Sequence, residues 1–413
     1  MATVKPFLCI RPNTEVAHRV AALPYDVYNR KEAKQEIERE PLSFLKVDRA
    51  ETNFPDNVDT YDPCVYQKAR ELLQRMSQDG ILLSEEQECY YVYELTMEGR
   101  SQTGLVACAS IDDYLGNTIK KHENTREEKE IDRINHVDIC NAQTGPIFLA
   151  YRAHEVINQE VAAVKQESTL YSFTSVDGIT HRVWRIAAKI KIDAIRRAFS
   201  EIDSIYIADG HHRAASAVKV GLKRRKEHPD YTGSEEFNFF LSVLFPHDQL
   251  MIMPYNRTVK DLGSLSKEEF IRRISESFTV EYIGAEPFAP AEKATFGMYL
   301  KDGWYRLTAK EVLRAITDPV AALDVSLLQD YLLQPILGIE DPRVDKRIDF
   351  IGGIRGLKEL ERRVGEDMEV AFSMYPTSIV ELFDVSDAGK LMPPKSTWFE
   401  PKLRSGLFIH SLS

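Results

Sequence analysis

The stretch "SIYIADGHHRAASAVKV", residues 204–220, sets an apolar run, an Asp-Gly pair, two histidines and an arginine in immediate succession. Ile205 to Ala208 have the length and composition of a buried strand, and "RAASAVKVGLKRR" that of a helix. Glycine adopts backbone conformations closed to other residues and aspartate caps helices, so Asp209-Gly210 is the turn between them. The expected unit is a strand, a tight reversal, and a helix beginning near Arg213. A helix start presents unpaired N–H groups and the positive end of the helix dipole, and Arg213 adds a planar fork of donors suited to phosphate oxygens. Asp209, Gly210, His211, His212 and Arg213 therefore form a candidate phosphate-binding turn. A plainer reading makes Asp209 a cap, Gly210 a turn residue and the histidines exposed polar groups, but it leaves the two histidines and the arginine unexplained as a set.

Working outward, "YQKARELLQRMSQDG" from Tyr66 has helical periodicity, and "CYYVYELTMEGRSQTGLVACAS" from Cys89 predicts a hairpin turning at Gly99. "PIFLAYRA" from Pro146 predicts a strand, "VINQEVAAVKQES" and "KIDAIRRAFSEI" predict helices, and Asp177-Gly178 between alternating runs predicts a second hairpin. Strands and helices mixed in this order define an α+β (mixed α/β) class. A chain of 413 residues exceeds one ordinary core. The boundary is expected near residue 262, dividing an N-terminal region, 1–262, from a C-terminal α/β unit, 263–413.

A second informative stretch is "IKKHENTREEKEIDRINHVDICNA", residues 119–142. Read as one helix at about 100° per residue, His122, Thr125, Lys129, Asp132, Arg133 and His136 share one face, while Ile131, Ile134 and Val137 form a core stripe. Most charge runs are solvated faces, and histidine at both ends is what sets this one apart. Glu123 beside His122 offers a carboxylate for general-base chemistry or for Mg²⁺. The H-E-x-x-H zinc pattern is broken by Arg126, which disfavours a zinc hydrolase.

"LPYDV" (23–27) and "MPYNR" (253–257) share a Pro-Tyr-Asx element read as a turn. In "MPPKSTWFEPK", Lys395, Ser396 and Thr397 are either a second phosphate contact or a surface loop. Walker, dinucleotide-binding and nucleophile-elbow motifs are absent. The formal net charge of -11 disfavours nucleic-acid binding, and the basic run "KVGLKRRKEH" from Lys219 is expected to face solvent. Five scattered cysteines with no C-x-x-C pair are read as buried free thiols. No run approaches the ~18 apolar residues of a membrane helix, and the start lacks the pattern of a secretory signal, so a cytoplasmic protein without membrane partners is expected.

The ordered set "LPYDV", "HENT…KEIDR…H", "YIADGHHRAA", "MPYNR" and "KSTWFEPK" resembles the family named domain of unknown function 1015 over nearly the whole chain. The D-G-H-H-R turn is similar to that of free serine kinases in the ParB/sulfiredoxin superfamily, where it holds nucleotide phosphates. The resemblance implies a ParB/sulfiredoxin-like core with an N-terminal elaboration. It assigns phosphate handling to Asp209, His211, His212 and Arg213, and makes serine an attractive acceptor. The sulfiredoxin cysteine is replaced by His211, which argues against sulfinic acid reduction.

These readings combine into a nucleotide-dependent phosphotransferase acting on a small hydroxylated metabolite such as free serine, with Mg²⁺ and ATP or ADP. Phosphoryl transfer is mostly positioning and charge neutralisation. Gly210 with the helix start, His212 and Arg213 hold phosphates, joined by Lys395, Ser396 and Thr397. Asp209 and Glu123 are the metal candidates, Glu123 is also the base, and His122, Lys129 and Arg133 line the substrate side. Two alternatives stand beside it: a phosphatase using His211 or His212, and a ParB-like nucleotide switch without catalysis. A homodimer is left open.

Overall fold

The computed structural model describes residues 1–413, which form two compact units, Met1–Leu250 with Pro401–Ser413, and Met251–Glu400. The second unit is thus inserted between the body of the first and its last thirteen residues.

The first unit is built on a nine-stranded sheet. Its strands are β1 (Val4–Lys5), β2 (Tyr90–Met97), β3 (Arg100–Ser110), β4 (Ile119–Lys120), β5 (Ile147–Tyr151), β6 (Tyr171–Thr174), β7 (Thr180–Ile186), β8 (Ile205–Asp209) and β9 (Phe239–Pro246). They run in the order β4-β8-β5-β9-β3-β2-β7-β6, with β1 added against β3. Most pairings are antiparallel, while β4 with β8 and β5 with β9 are parallel, so the class is mixed α/β. Both expected hairpins form, through Glu98-Gly99 and through Gly178, all three with positive φ.

Three helices matter for the site: α1 (Pro63–Gln78), α2 (Glu127–Cys140) and α3 (His211–Glu227). The expected helix over 119–142 is corrected at its start. Ile119 and Lys120 extend the sheet beside Ile205 and Tyr206, and Arg126 keeps an extended backbone at φ -96°, ψ 128°. The helix begins only where Glu127, Glu128 and Glu130 supply the acidic first turn its dipole favours. His122, Glu123 and Thr125 therefore lie on a loop, not on a helix face. The expected core stripe is also corrected: Ile131 is 51% exposed, whereas Asp132, Arg133 and His136 are buried. Ile134 and Val137 pack against a small cluster of Val220, Phe237 and Leu412.

Behind the sheet, Val92, Leu105, Leu149, Ile207, Phe240 and Leu244 interlock with Ala214, Ala217 and Val218 of α3. Each of the larger aliphatic and aromatic side chains contributes about 1.5–3 kcal/mol when fully removed from water. The returning C-terminal segment supplies strand Ile409–Ser411, which pairs with Cys9–Pro12 and with Ala142–Gln143 in a four-stranded sheet. Cys9, Cys89, Cys108 and Cys140 are buried free thiols as expected, whereas Cys64 is exposed. The basic run on α3 meets carboxylates: Lys219 pairs with Glu130, Arg224 with Asp138 at 2.9 Å, and Arg225 with Asp112 at 2.7 Å. No helix is long and apolar enough to cross a membrane.

The second unit holds a six-stranded antiparallel sheet with a core of Trp304, Ile351, Leu360, Val364 and Ala371. Here the expected turn at "MPYNR" is corrected. Tyr255–Val259 is a strand, and Asn256 uses its side-chain oxygen to accept the Met374 N–H across the sheet at 3.0 Å rather than to close a turn.

Candidate functional site

The strand-turn-helix unit is present, with α3 starting two residues earlier than expected, at His211. Gly210 makes this possible: at φ +91° and ψ 33° it sits in the left-handed region, and a Cβ there would lie 3.4 Å from Arg213 Nε. Asp209 ends β8, and its Oδ1 accepts the Gly210 N–H at 2.8 Å. Lys402, from the returning segment, donates to Asp209 Oδ2 at 3.3 Å. Burial alone would raise this carboxyl, but Lys402, Arg213 and the Gly210 N–H hold it down at about 2.

His211 and His122 meet as an edge-on pair, ring centroids 4.5 Å apart and planes at 86°. Burial pushes His122 down to about 4, against the pull of Asp209. His211 lies well below its ordinary value, through burial first and then the neighbouring His122. His211 Nδ1 is 3.8 Å from Glu123 Oε2. His212 is half-buried, and its Nε2 accepts the Arg126 N–H at 2.9 Å. Its pKa is lowered by burial, with Arg126 and Lys129 opposing Glu130 and Asp26. The three histidines are therefore neutral at pH 7, and the positive charge beside the turn comes from arginine and lysine.

Arg213 Nη1 donates to the Pro146 carbonyl at 2.7 Å, which fixes the guanidinium along a narrow cleft behind the turn. Tyr25, Asp48, Arg133, His136, Arg213 and Ser405 line this cleft. Gly145 keeps it open, since a Cβ there would meet Ser405 Oγ at 3.0 Å. Arg133 stacks on Tyr25, Cζ 3.9 Å from the ring centroid, and pairs with Asp132 at 2.9 Å. Asp48 accepts from Thr144 Oγ1 at 2.8 Å and lies 3.9 Å from His136 Nε2. Burial, then Arg133, lowers the pKa of His136. Arg133, Arg213 and the carboxylate of Asp48 stand on the cleft wall, and Arg133 is already paired with Asp132, so Arg213 is the cation there without a carboxylate hydrogen bond.

The fold thus brings His122, Glu123, Asp209, Gly210, His211, His212 and Arg213 to one place, with Arg133 on the adjoining wall. Lys129 points its amine to Tyr61 Oη at 3.0 Å, on the surface. Lys395, Ser396 and Thr397 belong to the second unit, where the Lys395 carbonyl accepts from Arg257 at 3.0 Å and Ser396 is buried. Sequence reading passed over Asp48, Ser405, the place of Tyr25 under Arg133 and the contact of Lys402 with Asp209. The last two sit inside "LPYDV", read as a turn, and "KSTWFEPK", read as either a phosphate contact through Lys395, Ser396 and Thr397 or a surface loop.

The family model described as protein of unknown function (DUF1015) matches residues 4–326. The chain belongs to this family. No curated protein matches the DUF1015 chain in sequence. Among solved structures it is similar to a free serine kinase in complex with AMP, at 16% identity and TM-score 0.35, covering 73% of this chain and 91% of that one. It is also similar to a conserved hypothetical protein from Pyrococcus furiosus, at 15% identity and TM-score 0.35, over 73% and 94% of the two chains. A third is C-terminally truncated SbnI from Staphylococcus aureus, at 12% identity and TM-score 0.34, over 73% and 87%.

Proposed function

We propose that the first unit of this DUF1015 protein is a nucleotide-dependent phosphotransferase acting on a small hydroxylated metabolite, with ATP or ADP as donor and free serine as the first acceptor to test. The observation that carries the reading is the position of Arg213, in the first turn of α3, directly behind a left-handed Gly210 and along a cleft whose other cation is Arg133. The N–H groups at the start of a seventeen-residue helix and the Arg213 guanidinium beside Gly210 are donors of the kind phosphate oxygens accept from, which supports this reading. Neutral His212 lends a hydrogen bond without adding charge.

The roles divide by environment. Arg213, the α3 start and His212 bind and orient phosphates, Arg133 and Tyr25 shape the acceptor side, and Glu123 is the base for the acceptor hydroxyl. Asp209, pinned by Lys402, fixes the turn. Its oxygens are engaged by Lys402 and the Gly210 N–H, so with Glu123 it makes a poor pair for Mg²⁺, which demands several free oxygen donors in octahedral array. Lys395, Ser396 and Thr397 belong to the second unit and are kept only as a separate candidate phosphate contact there.

The experiment is a phosphorus NMR time course of the purified protein with Mg²⁺ and ATP, then ADP, with and without L-serine. A serine-dependent phosphomonoester is the expected product. Free phosphate alone would replace the transferase with a phosphohydrolase, and an unchanged spectrum would remove serine and these donors from the reading.

A further inference from the structure

The parallel pairing of Ile119-Lys120 with Ile205-Tyr206 lays two chain segments side by side, and their continuations carry His122-Glu123 and His211 to the same sheet edge. His122 is 2% exposed and His211 5% exposed, while Glu123 lies at the surface. One ligand-type atom from each of these residues lies within 4.8 Å of the others. His122 Nδ1 is buried without a hydrogen-bond partner. A buried polar atom left unsatisfied costs roughly 1–3 kcal/mol, so natural proteins keep few of them. Edge-on packing against His211 supplies contact but no hydrogen bond to that nitrogen.

We propose that His122, Glu123 and His211 form a binding site for one divalent transition-metal ion of the zinc class. Two imidazole nitrogens and one carboxylate oxygen are a borderline donor set. Mg²⁺ and Ca²⁺ prefer all-oxygen shells, whereas Zn²⁺, Co²⁺ and their neighbours accept nitrogen readily. Ligands of a tetrahedral ion with bonds of about 2.0–2.1 Å stand roughly 3.4 Å apart, so the ion would draw this group together by about an ångström. Most of that movement falls to Glu123, whose carboxylate lies at the surface, while the buried rings hold their places, and holding the ion is an alternative to its role as base. Three protein ligands leave a fourth position for water or for an oxygen of a bound ligand, the pattern of catalytic rather than structural metal sites. The missing H-E-x-x-H spacing does not bear on this site, because its ligands come from a loop and a helix start rather than from one helix.

The site is tested without any nucleotide, so its failure and that of the phosphotransferase reading are separable. The full-length, metal-stripped protein is titrated with Co²⁺, following the visible d–d absorption, and then with Zn²⁺ and Mg²⁺ as competitors. The expected result is saturable binding of about one Co²⁺ per chain, displaced by Zn²⁺ and indifferent to Mg²⁺. His211→Gln should abolish the absorption, and Glu123→Gln should weaken binding at least about tenfold. If His211→Gln does not fold, as read by circular dichroism, the surface variant Glu123→Gln decides alone. Absence of saturable Co²⁺ binding, or equal affinity in the wild type and Glu123→Gln, overturns the site.

Discussion

Replacing Lys402 with methionine keeps the aliphatic stem and removes the cation that faces Asp209 at 3.3 Å. The carboxyl of Asp209 is held at about 2 against an ordinary 3.8, which at 1.36 kcal/mol per unit corresponds to about 2.4 kcal/mol. Protein atoms crowd the group, yet its side chain keeps 39% of its exposure, and water screens part of that interaction. About 1 kcal/mol at pH 7 is the expected loss, or roughly 2–4 °C in melting temperature for a unit of this size. Because the folded value lies below the unfolded one, this contribution is complete above pH 3.8 and fades as pH falls toward 2. Urea unfolding of the wild type and Lys402→Met at pH 7 and at pH 3 tests both points: the gap should be present at pH 7 and shrink at pH 3. An undiminished gap at pH 3 would falsify the ion-pair account and assign the loss to packing, and Lys402→Arg should restore most of the stability.

Arg213→Ala should weaken ADP or ATP binding by one to two orders of magnitude, the ~1.5–3 kcal/mol of charge-assisted hydrogen bonds, with the circular dichroism spectrum unchanged; calorimetry showing equal affinity would refute the phosphate turn. His181 is fully buried against Tyr93 Oη at 2.8 Å, and burial, then Arg404, pushes it down to about 3. The unfolded chain therefore takes up a proton that the folded one refuses, and stability should fall as pH drops below about 6.5, by up to ~1.4 kcal/mol per unit. In His181→Gln the slope of melting temperature against pH between 6.5 and 4.5 should be flatter, and an unaltered slope would show that other groups set it.

What the sequence disclosed was local. Gly99 and Gly178 announce their hairpins because a positive φ between alternating runs leaves few options, and Gly210 announces the turn for the same reason. The helix over 119–142 was overextended because charged residues satisfy helical periodicity as easily as they satisfy a loop. The pairing of Ile119-Lys120 with β8, 86 residues away along the chain (205 minus 119), overrode it. Asp132, Arg133 and His136 read as a polar stripe apart from the core and are instead buried, because Tyr66 of α1, Tyr25 and Val47 meet them there. Asp48 gave no signal at all, since its partner Thr144 lies 96 residues away.

The order in which the polypeptide leaves the ribosome gives the Asp209–Lys402 contact a temporal meaning. Asp209 emerges 193 residues before Lys402, with the whole inserted unit between them. At about 5–20 residues per second the nascent turn waits about 10–40 s for its counter-charge. Strand Ile409–Ser411, which closes the four-stranded sheet, arrives later still. The D-G-H-H-R turn thus receives this support only after the inserted unit has been made, and a polypeptide cut short anywhere in the insertion carries those residues without the lysine that holds them.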